Sequence, residues 1–166
     1  MIEPAAHVAE VGLRPAVEAD RDFLFELYAS TRRADLQPLG WDAAATDSFL
    51  RAQYEHEERD WHLHQQGAEC MVVERAGRAV GRLYVARSAH EIRIMDLTLL
   101  PAHRSQGIAT ALISALLHEA QATRRTVRLH VGRNSRLAEL CRGLGFLPAA
   151  TRGGTLLMEW TAEAAL

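Results

Sequence analysis

The feature that most constrains this chain is a strand that runs through a basic turn directly into a long amphipathic helix, residues 91–120. A nearly continuous apolar run before Pro101 is typical of a buried strand. Pro101 ends the strand because proline has no backbone N–H for the ladder. After Gly107, apolar residues recur every three or four positions from Ile108 to Leu116, as on the buried face of a helix. The sequence therefore predicts a strand, a turn and a helix in direct succession.

The turn between this strand and this helix has the properties of an anion-binding site. Gly107 lets the backbone turn tightly and lets a bulky ligand approach the main chain. The amides of the first helical turn lack intrahelical partners and carry the positive end of the helix dipole. Arg104 adds a planar fork of donors that suits phosphate oxygens. A P-loop and a dinucleotide fingerprint are excluded, because the turn has one glycine and no Lys-Ser or Lys-Thr pair follows it. The turn is predicted to bind phosphate.

The string LTLLPAHRSQGIATALI resembles the acyl-CoA turn of the GNAT superfamily of N-acetyltransferases. The superfamily pattern Arg/Gln-x-x-Gly-x-Gly/Ala is met by Arg104, Gly107 and Ala109. The resemblance implies that the turn holds the CoA pyrophosphate, that the end of the strand pairs with the pantetheine arm, and that an asparagine farther along also binds pantetheine. The implied cofactor-binding residues are Leu97, Thr98, Leu99, Arg104, Ser105, Gln106, Gly107, Ile108, Ala109, Thr110 and Asn134. The alternative is an ordinary helix start with a surface arginine.

The remainder of the chain resembles the same superfamily from about residue 12 to residue 161. LRPAVEADRDFLFELY is similar to its first strand and helix, and HVGRNSRLAELCRGLGF is similar to its fifth strand and following helix. The resemblance implies a GNAT-like α/β fold of mixed α+β type, with a central, mostly antiparallel sheet of about seven strands flanked by four helices. A chain of 166 residues that is 48% hydrophobic can bury one full core, so a single domain over residues 1–166 is expected.

Periodicity and turn residues predict the other elements. Strands are expected at residues 12–17, 70–74, 78–86 and 126–131 and on both sides of 152–154, and helices at 18–31, 43–64 and 135–144. Asp20 is expected to cap the first helix. Residues 32–42, which contain Pro38 and Gly40, are predicted to form a connecting loop. An exposed edge strand is expected around 156–160, and this strand is available to pair with a second copy of the chain in a homodimer.

Composition excludes several other functions. A formal net charge of -2 with interspersed arginines provides no basic surface for nucleic acid. No apolar run approaches the ~20 residues of a membrane span, and no signal peptide is recognised. Cys70 and Cys141 are too few for a disulfide framework, and His56, His62 and His64 are not spaced as metal ligands and are expected to be solvated. We therefore expect a cytoplasmic protein that uses no metal.

Acetyl transfer from a thioester to an amine requires a proton acceptor and a donor to the developing oxyanion. By the resemblance, Glu91 occupies the position at which some members, notably histone acetyltransferases, carry a catalytic glutamate; the alternative is an exposed glutamate at the strand end. Asp96 is the rival base, because it is expected to share a face with Ile92 and Ile94 in an apolar run. The alternative for Asp96 is structural support. The oxyanion would be bound by a main-chain amide within residues 97–99.

A group that protonates the departing thiolate is the third catalytic candidate. The superfamily often has a tyrosine after the leucine that corresponds to Leu140, and this chain has Cys141 instead. The Cys141 thiol is either that acid or a small buried residue, with the leaving group protonated by solvent. Tyr54 and Tyr84 are further hydroxyls whose positions the sequence does not fix. Asn134 is expected to bind pantetheine, to cap the following helix, or both.

The acceptor is expected to bind between residues 37–42 and 151–155, as it does in the superfamily. Trp41 offers an aromatic face there or packs in the core, and Asp35 or Asp42 is suited to hold an ammonium. The sequence therefore predicts an acetyl-CoA-dependent N-acetyltransferase that acts on a primary amine of a small molecule, amino acid, peptide or protein. One alternative is a catalytically weak acyl-CoA-binding sensor or interaction domain, which the missing tyrosine favours. The other is a structural protein without a ligand.

Overall fold

The computed structural model describes residues 11–163, which form one seven-stranded sheet and five α-helices. The strands are β1 (Val11–Pro15), β2 (Ala68–Arg75), β3 (Arg78–Arg87), β4 (Glu91–Leu99), β5 (Thr126–Gly132), β6 (Leu147–Arg152) and β7 (Thr155–Trp160). The helices are α1 (Arg21–Ser30), α2 (Arg33–Leu36), α3 (Ala43–His64), α4 (Ile108–Thr123) and α5 (Arg136–Gly143). Within this described range, no helix is both long and apolar enough to cross a membrane.

The predicted α/β architecture is confirmed, with one helix more than expected. The helix α3 has the predicted bounds, and α4 begins directly after Gly107 as predicted. The additional helix is α2, a single turn of four residues within the segment predicted to be a loop. A single turn is too short for hydrophobic periodicity to develop, so this helix leaves no readable pattern in the sequence.

The strands lie in the order β1-β2-β3-β4-β5-β7-β6, and all neighbours are antiparallel except β4 and β5. The prediction of an edge strand at Leu156–Trp160 is wrong, because β7 lies between β5 and β6 and pairs with β5 from Val127 to Gly132. The edge is formed by β6, all six residues of which are exposed. The last hairpin folds back so that its second strand, not its first, pairs with β5.

A β-bulge in β4 decides which side chains face which helices. Val85 pairs with Ile94 and Tyr84 pairs with Asp96, so Met95 is an extra residue in β4. Because side chains alternate along a strand, the extra residue moves Asp96 to the face opposite Ile94. The expectation that Asp96 shares a face with Ile92 and Ile94 is therefore wrong.

The two faces of the sheet carry two separate groups of packed side chains. On one face, Ile92 and Ile94 belong to a large core that includes Ile108 and Ile113 of α4. A smaller core on α1 and α3 contains Phe25, Tyr28, Ala29 and Leu50. The helix α1 contacts β3 and β4, so the bulge turns Asp96 toward the face that α1 and α3 cover.

Asp20 joins β1 to the start of α1. Its side chain does not cap α1 itself, but it accepts from the Val17 amide at 2.8 Å and so caps the 3-10 turn Glu18–Asp20 with which the predicted helix begins. The carboxylate also accepts two 2.7 Å hydrogen bonds from Arg14. These hydrogen bonds, that from Arg14 above all, lower the pKa of Asp20 to about 2.

We expect Asp20→Asn to lower the melting temperature at neutral pH. A carboxylate whose folded pKa is depressed stabilises the fold above its ordinary pKa of 3.8, and this contribution is lost as the pH falls through about 2. The difference in melting temperature between wild type and Asp20→Asn should therefore shrink across that window. Thermal melts followed by circular dichroism measure it, with the exposed Asp22→Asn as the control. A difference that stays constant with pH would show that Asp20 acts by shape and not by charge.

Candidate functional site

The parallel strands β4 and β5 pair along only part of their length. Their register runs from Glu91 opposite Thr126 to Ile94 opposite Leu129 and ends there. Beyond Ile94, among the described residues, β3 is the one strand that pairs with β4. The backbone of β4 from Leu97 to Leu99 therefore presents an edge on which an extended ligand can form strand-like hydrogen bonds.

A cavity of about 670 Å³ opens at this gap, a size typical of small-molecule and cofactor sites. The end of α1, the end of β4, the basic turn and the first turns of α4 and α5 enclose it. The lining residues are Thr31, Leu97, Thr98, Leu99, Arg104, Ser105, Gly107, Ile108, Ala109, Thr110, Ser135, Arg136, Leu137 and Leu140. All the predicted cofactor-binding residues except Gln106 and Asn134 are in this set.

The turn at the cavity exposes a row of backbone amides. Gly107, the N-cap of α4, has φ 82°, a left-handed conformation that costs glycine little. Ser105 is also left-handed, with φ 59°. The Ala111 amide makes a 3.0 Å bond to the Gly107 carbonyl, so the amides of Ile108, Ala109 and Thr110 precede the intrahelical ladder. Such a concavity of amides at a helix N-terminus binds anions.

Two arginines stand beside these amides. Arg104 donates through Nε to the Leu99 carbonyl at 3.0 Å, which ties the turn to the end of β4. Arg136 at the start of α5 donates to Ser105 Oγ at 3.0 Å. The Gln106 side chain bonds Arg75 and the Ala102 carbonyl, and the contact of its main chain with the pyrophosphate stays a prediction. The site is therefore basic on both sides of the turn.

The sequence did not predict the cavity residues on and before α5, which are Ser135, Arg136, Leu137 and Leu140. Ser135 caps α5 by accepting from the Ala138 amide at 3.2 Å, so the alternative that Asn134 caps this helix is wrong. The preference of serine for N-caps was a signal that pointed to Ser135. Asn134 is exposed in the preceding turn, and its contact with pantetheine stays a prediction.

Cys141 lies in the core and not in the cavity. Its side chain is fully buried in the large core, whereas Leu137 and Leu140 of the same helix line the cavity. Burial raises the pKa of the Cys141 thiol to about 11. Cys141 is therefore a small buried residue, as the alternative interpretation has it. Its thiol does not reach the cavity, where a proton donor to the thiolate would have to lie.

Glu91 also lies apart from the cavity. It begins β4, six residues before Leu97, a separation of about 20 Å along a strand. Its carboxylate contacts Arg93 at 3.1 Å and Arg128 at 3.5 Å. Glu91 therefore forms ion pairs at the start of β4, and it does not lie beside the predicted cofactor-binding residues.

Asp96 belongs to a buried cluster that the sequence did not reveal. Arg82 of β3, only 3% exposed, donates through Nε to Asp96 at 2.9 Å and through Nη1 to Glu58 of α3 at 2.6 Å. Thr98 Oγ1 donates to Asp96 at 2.9 Å. Burial lowers the pKa of Arg82, but the two carboxylates raise it more, so the guanidinium stays charged. The readable signal was an arginine inside the largely apolar strand AVGRLYVA.

The remaining predicted groups lie outside the cavity. Burial raises the pKa of Tyr54 to about 12 and also raises that of Tyr84, so both hydroxyls are protonated at neutral pH. Trp41 is 43% exposed and packs against Phe49 with ring centroids 5.2 Å apart, so its alternative of core packing is wrong. Asp42 caps α3 by accepting from the Ala45 amide at 2.7 Å.

Residues 11–163 contain no group of three His, Cys, Asp or Glu side chains that could hold a metal ion. His56, His62 and His64, which were expected to be solvated, are exposed. Nothing in the described part of the chain therefore points to a metal centre.

Comparison with known proteins relates this fold and cavity to one family. A sequence model described as the Acetyltransferase (GNAT) family matches residues 24–146. No curated protein matches the chain significantly in sequence. Among solved structures, PaiA N-acetyltransferase from Thermoplasma acidophilum, in complex with coenzyme A, is 16% identical with a TM-score of 0.68, covering 92% of this chain and 99% of that chain.

Two further structures have the same fold. The putative acetyltransferase yncA from Salmonella typhimurium, with its cofactor acetyl-CoA, is 22% identical with a TM-score of 0.56, covering 92% of this chain and 94% of that chain. Ard1 from Thermoplasma volcanium is 19% identical with a TM-score of 0.59, covering 91% and 97%. At these identities the similarity is one of fold.

Proposed function

Because this chain belongs to the GNAT acetyltransferase family, we propose that it transfers an acetyl group from acetyl-CoA to a primary amine by direct attack on the thioester. One observation carries the proposal: the cavity joins the unpaired edge of β4 to a basic turn rich in free amides. Pantetheine is an extended chain with amides, and pyrophosphate is an anion. The two halves of the cavity match the two parts of CoA.

The residues divide the binding of acetyl-CoA between them. The amides of residues 107–110 and the guanidinium of Arg104 bind the pyrophosphate. The main chain of Leu97 to Leu99 pairs with pantetheine and donates an amide to the thioester oxygen as negative charge develops there. Asn134 binds the pantetheine amides from the other side. The structures of PaiA and yncA, which share the fold, contain coenzyme A and acetyl-CoA, and this supports acetyl-CoA as the ligand.

The leaving group receives its proton from solvent. Among the described residues, those that line the cavity include no tyrosine, cysteine or histidine that would donate a proton to the thiolate. Attack by the amine forms a C–N bond and breaks the C–S bond, and the departing thiolate is protonated by water. The same observation favours the second candidate function, a catalytically weak acyl-CoA-binding sensor or interaction domain.

The acceptor is proposed to be an amine of a small molecule, amino acid or peptide. It enters from the side of residues 37–42 and 151–155, where the exposed Trp41 offers a face to a cationic group. The two cysteines are free thiols, which suits a reducing cytoplasmic location. If the protein forms a homodimer, the exposed edge of β6 is the strand that is available for pairing.

Arg104→Glu is expected to weaken acetyl-CoA binding at least about tenfold, because it replaces a charge-assisted hydrogen bond by repulsion of the pyrophosphate. Isothermal titration calorimetry measures this affinity. Arg124→Glu is the matched control, since it makes the same change of charge at the other end of α4, roughly 25 Å away. Equal affinity in wild type and a folded Arg104→Glu would remove the turn from the proposed site.

Transfer is then tested by release of free CoA thiol with a panel of primary amines that includes alkylamines, polyamines, amino acids and short peptides. Stoichiometric acetylation of one amine class supports the enzyme. Tight acetyl-CoA binding without transfer to any amine favours the sensor or interaction domain.

A further inference from the structure

Three carboxylates surround the buried Arg82, and it engages only two of them. Arg82 bonds Asp96 and Glu58 at 2.9 and 2.6 Å. The third, Glu57 of α3, has one ion pair, a loose contact of 3.8 Å with Arg32. Both oxygens of Asp96 already accept hydrogen bonds from Arg82 and Thr98. Glu57, whose neighbours are Arg32 and the Tyr28 hydroxyl, is therefore the carboxylate of this cluster that Arg82 does not bond.

Glu57 lies on a small cavity next to the cofactor site, which we name the polar chamber. Its polar lining consists of Tyr28, Arg32, Glu57, Arg82, Asp96 and Thr98. Thr98 also lines the large cavity, so the two spaces adjoin across this one residue. The chamber measures about 10 Å³, close to the least volume that holds one water molecule, and it offers several polar partners for that water.

We propose that Glu57 is the general base of the acetyl transfer and that it acts through one water molecule in the polar chamber. The inference rests on the proposed function. The acceptor ammonium gives a proton through the water to the Glu57 carboxylate, and the freed amine forms the C–N bond. The C–S bond breaks, the thiolate takes a proton, and the amide nitrogen loses one. One proton in total reaches solvent, to which Glu57 is open because its side chain is 31% exposed.

The electrostatic surroundings of Glu57 make it a stronger base than an exposed glutamate. Burial raises the pKa of Glu57 above its ordinary value. Arg32, the N-cap of α2, and Arg82 from β3 oppose this shift, while Asp96 from β4 and Glu58 from α3 add to it. Tyr28 of α1 also faces the chamber and stays protonated, because burial raises its pKa. A raised pKa brings the proton affinity of Glu57 closer to that of the acceptor it must deprotonate.

The test compares Glu57→Gln with Glu55→Gln, an exposed glutamate two residues earlier on the same helix. Initial rates of CoA release are measured from mildly acidic to alkaline pH with acetyl-CoA and the fastest amine of the panel. Glu57→Gln should lower the rate constant about 100-fold at neutral pH and abolish the rise of the rate on the acid side. Its acetyl-CoA affinity and melting temperature should match wild type, and Glu55→Gln should be unchanged throughout.

The outcomes separate the two proposals. An active wild type with an equally active Glu57→Gln variant of identical pH profile overturns the role of Glu57 and leaves the acetyltransferase intact. A wild-type rate that rises only through the ordinary pKa range of a glutamate also overturns it, since burial would then have no part in the reaction. A wild type that acetylates no amine contradicts the proposed function and, with it, the role of Glu57 as the general base.

Discussion

Arg82→Met is expected to destabilise the protein by about 3 kcal/mol, because it removes the buried guanidinium that two half-buried carboxylates share. Asp96 and Glu58 are 26% and 28% exposed, so water screens part of their repulsion, and the lower end of the usual range applies. Arg82 also lies 5.5 Å from the ring centroid of Trp61 and 5.4 Å from that of Tyr84. Urea unfolding followed by tryptophan fluorescence measures the loss.

The double variant Arg82→Met with Asp96→Asn identifies the origin of this loss. If unpaired charge is the cause, the second substitution should restore part of the stability, although Asp96→Asn alone lowers it. Asp96→Asn would then stabilise the Arg82→Met variant and destabilise the wild type. Lost packing around Arg82 would not produce this reversal. An Arg82→Met variant that unfolds at the wild-type urea concentration would show that this ion cluster does not hold β3, β4 and α3 together.

The parts of the fold that the sequence predicted are those whose signals are local. The bounds of α3 and the start of α4 follow from caps, glycine and hydrophobic spacing within a few residues. The helix α2 and the position of β7 inside the sheet depend on how distant segments pack. In the last hairpin, Pro148 of β6 was a readable signal of the edge strand, because proline lacks the N–H that an inner strand donates.

The bulge at Met95 explains why the face of the sheet on which Asp96 lies was predicted wrongly. Apolar and polar residues alternate from Ile92 to Ile94 and again from Leu97 to Leu99, and Met95 next to Ile94 shifts the phase between the two stretches. The extra residue changes the face of Asp96, and unbroken alternation counted from Ile92 misses that shift. The pairing partner Tyr84 on β3 defines the register, and it lies 12 residues away in the chain.

Much of the cavity lining was predicted because it lies on one continuous segment, from Leu97 to Thr110. The other components are brought to it by tertiary packing. Arg136 reaches Ser105 across 31 positions, and Arg82 reaches Glu58 across 24. Sequence reasoning assigns a role to a charged residue in a strand or helix only when its partner is known, and those partners are distant.

Gly81→Ala is expected to damage both the fold and the cofactor site. Gly81 pairs with Leu99, and a Cβ there would lie 2.5 Å from the Thr98 carbonyl oxygen and 2.6 Å from Leu99 Cδ2. The nearest atom is backbone, so β4 itself must move at the point where it lines the large cavity. We expect a loss of about 1–3 kcal/mol in unfolding free energy, together with weaker acetyl-CoA binding.

Gly12→Ala is the matched control, because Gly12 also lies in a strand but a Cβ there would meet nothing within 4 Å. It should leave acetyl-CoA affinity unchanged and alter stability little, or raise it by restricting the unfolded chain. Urea unfolding and calorimetric titration of both variants measure the two effects separately. If Gly81→Ala lost stability but bound acetyl-CoA as tightly as wild type, the edge of β4 would not be the surface that holds pantetheine. The ligand would then rest on the turn and α5 alone.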